Sequence, residues 1–541
     1  MKFRRATAKL PVAIGLLLAI TLPQEESAKS AEPILEYIKT TWGVLTRANR
    51  MLATSAADPK FHPEPGGRWP VYIAANENRP AIEATLRRDL APEELRTIDL
   101  RTLPPVTPQT ERQVDPPGLL YLPLPYVVPG GRFNEMYGWD SYFVERGLLR
   151  DGMVTEARNM VDDFLYEIRN YGKILNANRS YYLTRSQPPF LTEMLLAVYR
   201  RARNRQWVED AIPAIEACYR YWTSAPHLTP ATGLSRYFDL GDGPAPEVVA
   251  SERDPSGKTH YDRVLEYYRQ NNVTDYDVSQ YYDRRANRLT PLFYKGDRSM
   301  RESGFDPSGR FGPFSVDIIH YNPVCLNSLL YLMESETAEL LEDIPAKAGD
   351  TPIWRKRARD RQALINKLMW NERDGLYEDY NFVQQRTRHY PFLTTFYPLW
   401  AGIASRDQAA RVVGNLTLFE RAGGLQTSNM ESGDQWDAPF GWAPLELIAV
   451  EGLRRYGYRA EADRIAEKFL SMVAEQYREH GTLVEKYDVV RRSIEVNREI
   501  RFGYHTNEAG FGWTNAVFTN LLDDLPANEQ RRILSLAVAP R

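Results

Sequence analysis

Ser141-Tyr-Phe143-Val-Glu-Arg-Gly-Leu148-Leu-Arg-Asp-Gly-Met-Val154-Thr-Glu-Ala-Arg-Asn-Met160-Val-Asp-Asp-Phe164-Leu-Tyr-Glu-Ile168-Arg-Asn-Tyr171 reads as amphipathic helix. Phe143, Leu148, Val154, Met160, Phe164 and Ile168 recur near the 3.6-residue period that puts apolar side chains on one face. The pattern repeats on either side. Residues 190–203 and 207–221 read as a helical hairpin, and 322–342, 353–370, 397–416, 445–456 and 460–479 continue the series. Residues 511–525 read as the last helix. Strong period-two runs are few. The expected class is all-α, with helical hairpins stacked and closed into a ring.

The 541 residues are 43% hydrophobic and 26% charged, enough for a large core. A net charge of -3 and a pI near 6.3 give no electrostatic reason for a nucleic acid or anionic membrane partner. Aromatics reach 12%, which suits a sugar cleft and a large core equally.

At the start of the chain, Lys2, Arg4, Arg5 and Lys9 precede an apolar run from Leu10 to Leu22, too short for a comfortable membrane span. Small residues follow, and cleavage near Ser30 or Ala31 is expected. Residues 1–31 therefore read as a signal peptide and the protein as secreted into a periplasm, the alternative being an uncleaved anchor. A Pro-rich, less regular arm (32–125) is expected to wrap a helical body (126–541). The segment 233–285, long and rich in Gly, Pro and Tyr, is expected to form a cleft wall. Cys218 and Cys325 sit in apolar contexts and read as buried free thiols. Cys/His metal spacing, His-Glu-x-x-His, a Walker loop and a Gly-x-Ser-x-Gly elbow are all missing.

Two segments carry the chemistry. Pro129-Gly-Gly-Arg132-Phe-Asn-Glu135-Met-Tyr137-Gly-Trp139-Asp140-Ser-Tyr142 sets an arginine, two acids and aromatics after a tight turn. Gln435-Trp436-Asp437-Ala-Pro439-Phe-Gly441-Trp442-Ala-Pro444 has the same character three hundred residues on. Rings stack on sugars and charged groups bond hydroxyls, so one carbohydrate site built from distant loops is expected. Glycosidic cleavage needs two carboxyl groups. Glu135, Asp140, Glu302, Asp306, Asp437 and Glu485 all lie in aromatic or Gly-rich loops, and spacing does not choose among them. Any of them can instead cap a helix or pair with an arginine. Asp140 suits an N-cap near Ser141, and Arg310 stands four residues from Asp306.

Both segments resemble the two signature motifs of the trehalase family of glycoside hydrolases. Further blocks are similar in the same order: Asn176 to Pro189, Gly304 to Arg310, Glu485 to Val489 and Gly510 to Asn515. The resemblance implies an (α/α)6 toroid and hydrolysis of α,α-trehalose to two glucoses with inversion. By position it implies Asp306 as general acid and Glu485 as general base. It implies Arg132, Trp139, Asp140, Asn176, Arg185, Ser186, Gln187 and Gly304 as sugar ligands. No metal or organic cofactor is required, the partner is a small disaccharide, and a monomer is expected. Asp306 is expected to need a raised pKa, helped by Phe305 and Phe311.

This chain departs from the family at three places. Ala245-Pro246-Glu247 stands where Arg-Pro-Glu is usual, which keeps Glu247 as a ligand and leaves Arg236 or Arg253 to replace the charge. Phe305 stands where tryptophan is usual. The segment after Glu485 lacks the glycine-rich flap, and Tyr504 takes the place of the flap glutamate, with Glu508 close by. The changes at Ala245 and the flap motivate one alternative, another small α-glucoside as substrate; a non-catalytic trehalose-binding or sensing protein is an alternative of a different class. Retention of both Asp306 and Glu485 argues against the binder.

Overall fold

The span 141–171 folds as two helices, not one, in the computed structural model, which describes residues 33–107, 110, 114–251, 256–496, 500–504 and 506–538. Helix α1 (Gly138–Arg150) and helix α2 (Val154–Tyr171) are separated by a turn at Asp151-Gly152-Met153. Gly152 takes φ of 79°, a left-handed conformation that suits glycine. The apolar period runs unbroken through the turn because both helices face the same core.

Five more pairs follow. They are α3 (Leu191–Ala202) with α4 (Arg205–Trp222), α5 (Val324–Glu342) with α6 (Thr351–Leu368), and α7 (Tyr397–Trp400) with α8 (Arg406–Gly414). The last are α9 (Ala443–Arg455) with α10 (Arg459–His480), and α11 (Gly512–Asp523) with α12 (Ala527–Leu536). The first helix of each pair touches the next in the order α1, α3, α5, α7, α9, α11, and α11 returns to α1. The result is the expected all-α toroid of six helical hairpins. The expected span 397–416 is broken after Trp400, where Gly402 turns the chain at φ 77°. The helix over 511–525 is followed by α12, which period counting missed because it is short and Ile533 is its one buried residue.

The arm before residue 126 holds more order than its sequence suggests. A helix, Ile34–Leu45, packs on α11, and its buried Trp42 donates from Nε1 to Asp151 Oδ2 at 2.8 Å. Strand Trp69–Ile73 lies between Ile98–Thr102 and Leu119–Leu120, all parallel. Val71, Ile73, Ile82, Leu86 and Ile98 form a core of their own beneath helix Arg79–Asp89. A parallel strand buried on both faces reads as a continuous apolar run, so it lacks the alternation that marks strands in sequence. Cys218 and Cys325 are buried free thiols.

The loops that matter sit at one end of the ring, where outer helices finish and inner ones begin. The stretches 129–140, 176–187, 435–442 and 503–511 run directly into, or just ahead of, the N-termini of α1, α3, α9 and α11.

Candidate active site

A cavity of about 690 Å³ opens at that end. Its floor is aromatic. The buried Trp139 ring lies 5.4 Å from Phe305, 5.7 Å from Trp436 and 6.0 Å from Trp513, centroid to centroid. Trp436 stacks on Trp442 at 3.8 Å and 7°, so it packs on one face while its edge reaches the cavity. Gly304 adopts φ of 78°, and a Cβ there would stand 3.0 Å from Trp139 Cε2. Its part is to let the backbone lie against the indole.

The six acids separate by their partners. Glu302 accepts from Ser186 N (3.1 Å), Tyr221 Oη (2.8 Å) and Phe238 N (2.7 Å), and it ties two loops to helix α4. Asp437 accepts from Gly309 N (2.7 Å), Ser428 Oγ and Ser432 Oγ (2.6 Å each) and Tyr390 Oη (3.0 Å). Burial pushes its carboxyl up to about 6 against those donors. Glu135 pairs with Arg179 Nε at 2.6 Å and accepts from Asn134 N. Asp140, Asp306 and Glu485 remain, all lining the cavity.

Asp306 is held from behind. The Gln435 amide donates to its carbonyl, Trp436 N donates to Pro307 O (3.1 Å), and Asp437 grips Gly309. Its side chain is 34% exposed, and Arg301 Nη1 stands 3.9 Å from Oδ2. Arg310 is engaged elsewhere, pairing with Asp379 at 2.6 and 2.5 Å. Phe305 does not line the cavity but packs behind it on Trp139 and Trp436, and Phe311 packs on Tyr321, 4.9 Å away.

Glu485 enters from a separate loop. Its amide bonds Glu508 O at 3.0 Å, its carbonyl accepts from Trp513 Nε1 at 2.9 Å, and the Tyr504 hydroxyl donates to Oε1. Its Oε2 is buried with no partner among the described residues. Burial pushes the carboxyl above its ordinary 4.5, opposed by Lys486, the Tyr504 hydroxyl and Arg132. Asp140 is the third residue of α1, inside the first turn and not at the expected N-cap. Burial, then the charges of Glu485 and Asp306, hold its carboxyl well above the usual range.

Most of the expected ligands gather here. Arg185 is clamped between Asp239 (2.8 Å) and Glu247 (2.6 Å), and its Nη2 has no partner among the described residues. Burial opposes ionisation of Glu247, but Arg185 and Arg301 outweigh it and bring the carboxyl below its ordinary value. Gln187 accepts from Trp139 N at 2.9 Å, and Asn176 bonds Arg185 O through its amide at 2.9 Å. Arg132 lines the cavity mouth. It donates to Thr506 Oγ1 (3.1 Å) and pairs with Glu508 (3.3 Å). Ser186 does not line the cavity, because its hydroxyl donates to Ile174 O at 2.6 Å.

Near the departure at Ala245, Glu247 and Ala250 of helix Pro246–Ser251 and Arg263 of helix His260–Gln270 line the cavity, so 233–285 does supply wall. Arg236 does not replace the missing arginine, since it donates to Pro226 O and Ile319 O. Arg253 lies outside the described residues. Arg263 and Arg301 are the guanidinium groups there. Arg263 carried no sequence signal, being one cation on a polar helix face. Away from the cavity, Asp374, Glu378 and His389 come together, but Asn371 and His389 already bond the two carboxylates.

A model of the trehalase family matches residues 79–526. The chain belongs to the trehalase family. The solved neutral trehalase Nth1 from Saccharomyces cerevisiae shares 33% identity at a TM-score of 0.77, with 94% of this chain and 97% of that one covered. The cytosolic neutral trehalase of Neurospora crassa is 36% identical over 81% of this chain and 66% of its own length. That of Pyricularia oryzae is 38% identical over 76% and 60%. The chain thus spans two thirds or less of the length of the Neurospora and Pyricularia proteins. A mannosylglycerate hydrolase from Thermus thermophilus, 17% identical at a TM-score of 0.50 over 73% of this chain and 95% of that one, shares the fold alone.

These relatives correct one expectation. They are named as cytosolic proteins, which overturns the secreted, periplasmic reading and its signal peptide. A basic stretch ahead of an apolar run is only a compositional pattern, and residues 1–31 lie outside the described residues.

Proposed function

We propose that this member of the trehalase family hydrolyses α,α-trehalose to two glucose molecules with inversion, with Asp306 as general acid and Glu485 as general base. The observation that carries the reading is the sorting of carboxylates. Glu135, Glu302 and Asp437 are tied to loop donors, while Asp306 and Glu485 reach the cavity from separate loops. Asp140 is left as the buried partner that binds a hydroxyl.

The lining suits a substrate rich in hydroxyls. The lining carries Lys60, Arg132, Arg185, Arg263 and Arg301 against Glu135, Asp140, Glu247, Asp306 and Glu485. Both kinds of group bond hydroxyls, as a sugar requires.

Glu485 takes a proton from water as that water attacks the anomeric carbon. Asp306 delivers its proton to the glycosidic oxygen as the bond breaks. Inversion requires room for water between the two carboxyls, roughly 6.5–9.5 Å, and separate loops provide it more readily than neighbouring positions would. The raised Glu485 carboxyl makes a better base. A second reading, cleavage of another small α-glucoside, draws on Ala245. Its amide is bound to Tyr261 Oη at 3.0 Å, and its methyl brings no charge to the wall.

Proton NMR of the purified protein with trehalose tests both. Inverting cleavage releases α- and β-glucose in equal initial amounts. Intact trehalose beside cleavage of another α-linked disaccharide would establish the second reading instead.

A further inference from the structure

Glu485 is followed by a lysine that is wholly buried, Lys486. Its ammonium donates to Gln435 Oε1 (3.0 Å) and to the carbonyl of Tyr504 (3.1 Å), and it stands 3.9 Å above the Tyr504 ring. Gln435 in turn donates through its amide nitrogen to the Asp306 carbonyl. Gly503 has φ of 116°, and a Cβ there would meet the Gln435 side chain at 2.8 Å, so residue 503 lies tight against the same group. The Tyr504 ring is therefore fixed from both ends. Its backbone is tied through Lys486 and Gln435 to the loop of Asp306, and its hydroxyl is tied to Glu485 Oε1.

We infer that Tyr504 is a positioning residue for the base, holding Oε1 of Glu485 so that Oε2 faces the attacking water. This rests on Glu485 being the general base. Oε2 is the oxygen with no partner among the described residues. In the reaction, the water proton passes to Oε2, the hydroxyl bonds the anomeric carbon, and the Asp306 proton goes to the departing glucose. Tyr504 keeps its own proton throughout, since burial and the charge of Glu485 disfavour phenolate. A donor on the carboxylate favours the ionised form. Tyr504 thus both aims the base and limits how high its pKa rises.

Y504F tests this, because it keeps the ring over Lys486 and deletes only the hydroxyl. On trehalose, kcat is expected to fall about tenfold to a hundredfold while KM stays within about threefold, a split typical of lost proton-transfer geometry. The acidic limb of kcat/KM is expected to move to higher pH by about one unit, the size of one hydrogen bond to a charged group. Urea midpoints of Y504F and the parent check that folding is unchanged. E485Q is assayed beside it. An inactive E485Q with a shifted Y504F limb supports the role. An inactive E485Q with a parental Y504F profile overturns it, leaving Tyr504 as flap packing. An active E485Q overturns the base assignment and this role together.

Discussion

Gly304→Ala is the substitution whose effect follows most directly from geometry. Gly304 lies two residues before Asp306 at φ 78°, and an added Cβ would stand 3.0, 3.2 and 3.3 Å from Cε2, Cζ2 and Nε1 of Trp139. Two costs add. A left-handed conformation costs a non-glycine residue roughly 1–2 kcal/mol. Crowding a buried indole that is 2% exposed adds overpacking of roughly 1–3 kcal/mol. The expected loss is about 2–5 kcal/mol, with kcat on trehalose lowered more than KM is raised, because the alanine displaces the segment carrying Asp306, the proposed acid. Urea unfolding followed by tryptophan fluorescence measures the loss, and a double-mutant cycle with Trp139→Phe separates the two costs. The smaller ring removes the clash but not the backbone strain, so the coupling should be at least about 1 kcal/mol. If the two substitutions simply add, the contact with Trp139 is not what makes glycine necessary, and the reasoning fails.

Three further outcomes are expected. Asp306→Asn and Glu485→Gln should each lower kcat by about 10²–10⁴ with intact folding, read by single-turnover and steady-state glucose release; near-parental activity in either removes its assigned role. Asp437→Ala deletes the acceptor of four donors, including Gly309 N, and should lower both kcat and the urea midpoint, with a stability loss of about 2–4 kcal/mol checked by urea unfolding. Glu167, wholly buried in α2, accepts from Leu175 N at 2.9 Å, and burial pushes its carboxyl up to about 8 from an ordinary 4.5. Its folded value is the raised one, so its stabilisation is complete below pH 4.5 and is lost as pH rises towards 8, at about 1.36 kcal/mol per unit. Glu167→Gln keeps an acceptor for Leu175 without titrating. It should therefore gain about 3 kcal/mol on the parent between pH 4.5 and 7, and parallel urea midpoints across that range would contradict this.

Part of the molecule was legible from residues alone because local periodicity encodes it. Phe143 to Ile168 announced apolar helix faces, and the Gly- and aromatic-rich loops between helices announced a site at the helix ends. The break at Gly152 was invisible because α1 and α2 turn their apolar stripes to one core, so no phase change marks the turn. The strand Trp69–Ile73 was invisible because both its faces are covered. Arg263 reached the cavity through the placement of helix His260–Gln270, which no property of its own sequence specifies.

The choice among six carboxylates shows most clearly where sequence reading stops. What separates Asp437 from Asp306 is not its neighbours in the chain, for both lie beside aromatics and a cis-proline-bearing turn. It is the donors that arrive from elsewhere: Gly309 reaches Asp437 across 128 residues, Phe238 reaches Glu302 across 64, and Arg179 reaches Glu135 across 44. An acid whose lone pairs are filled by loop donors serves as a fixed acceptor, and using it as a proton carrier would loosen the loops it ties. Glu485 has one oxygen held and the other open, and the group that holds it is Tyr504, brought in by a segment far along the loop. Removing that hydroxyl is therefore expected to move the pH dependence of turnover more than the affinity for the sugar.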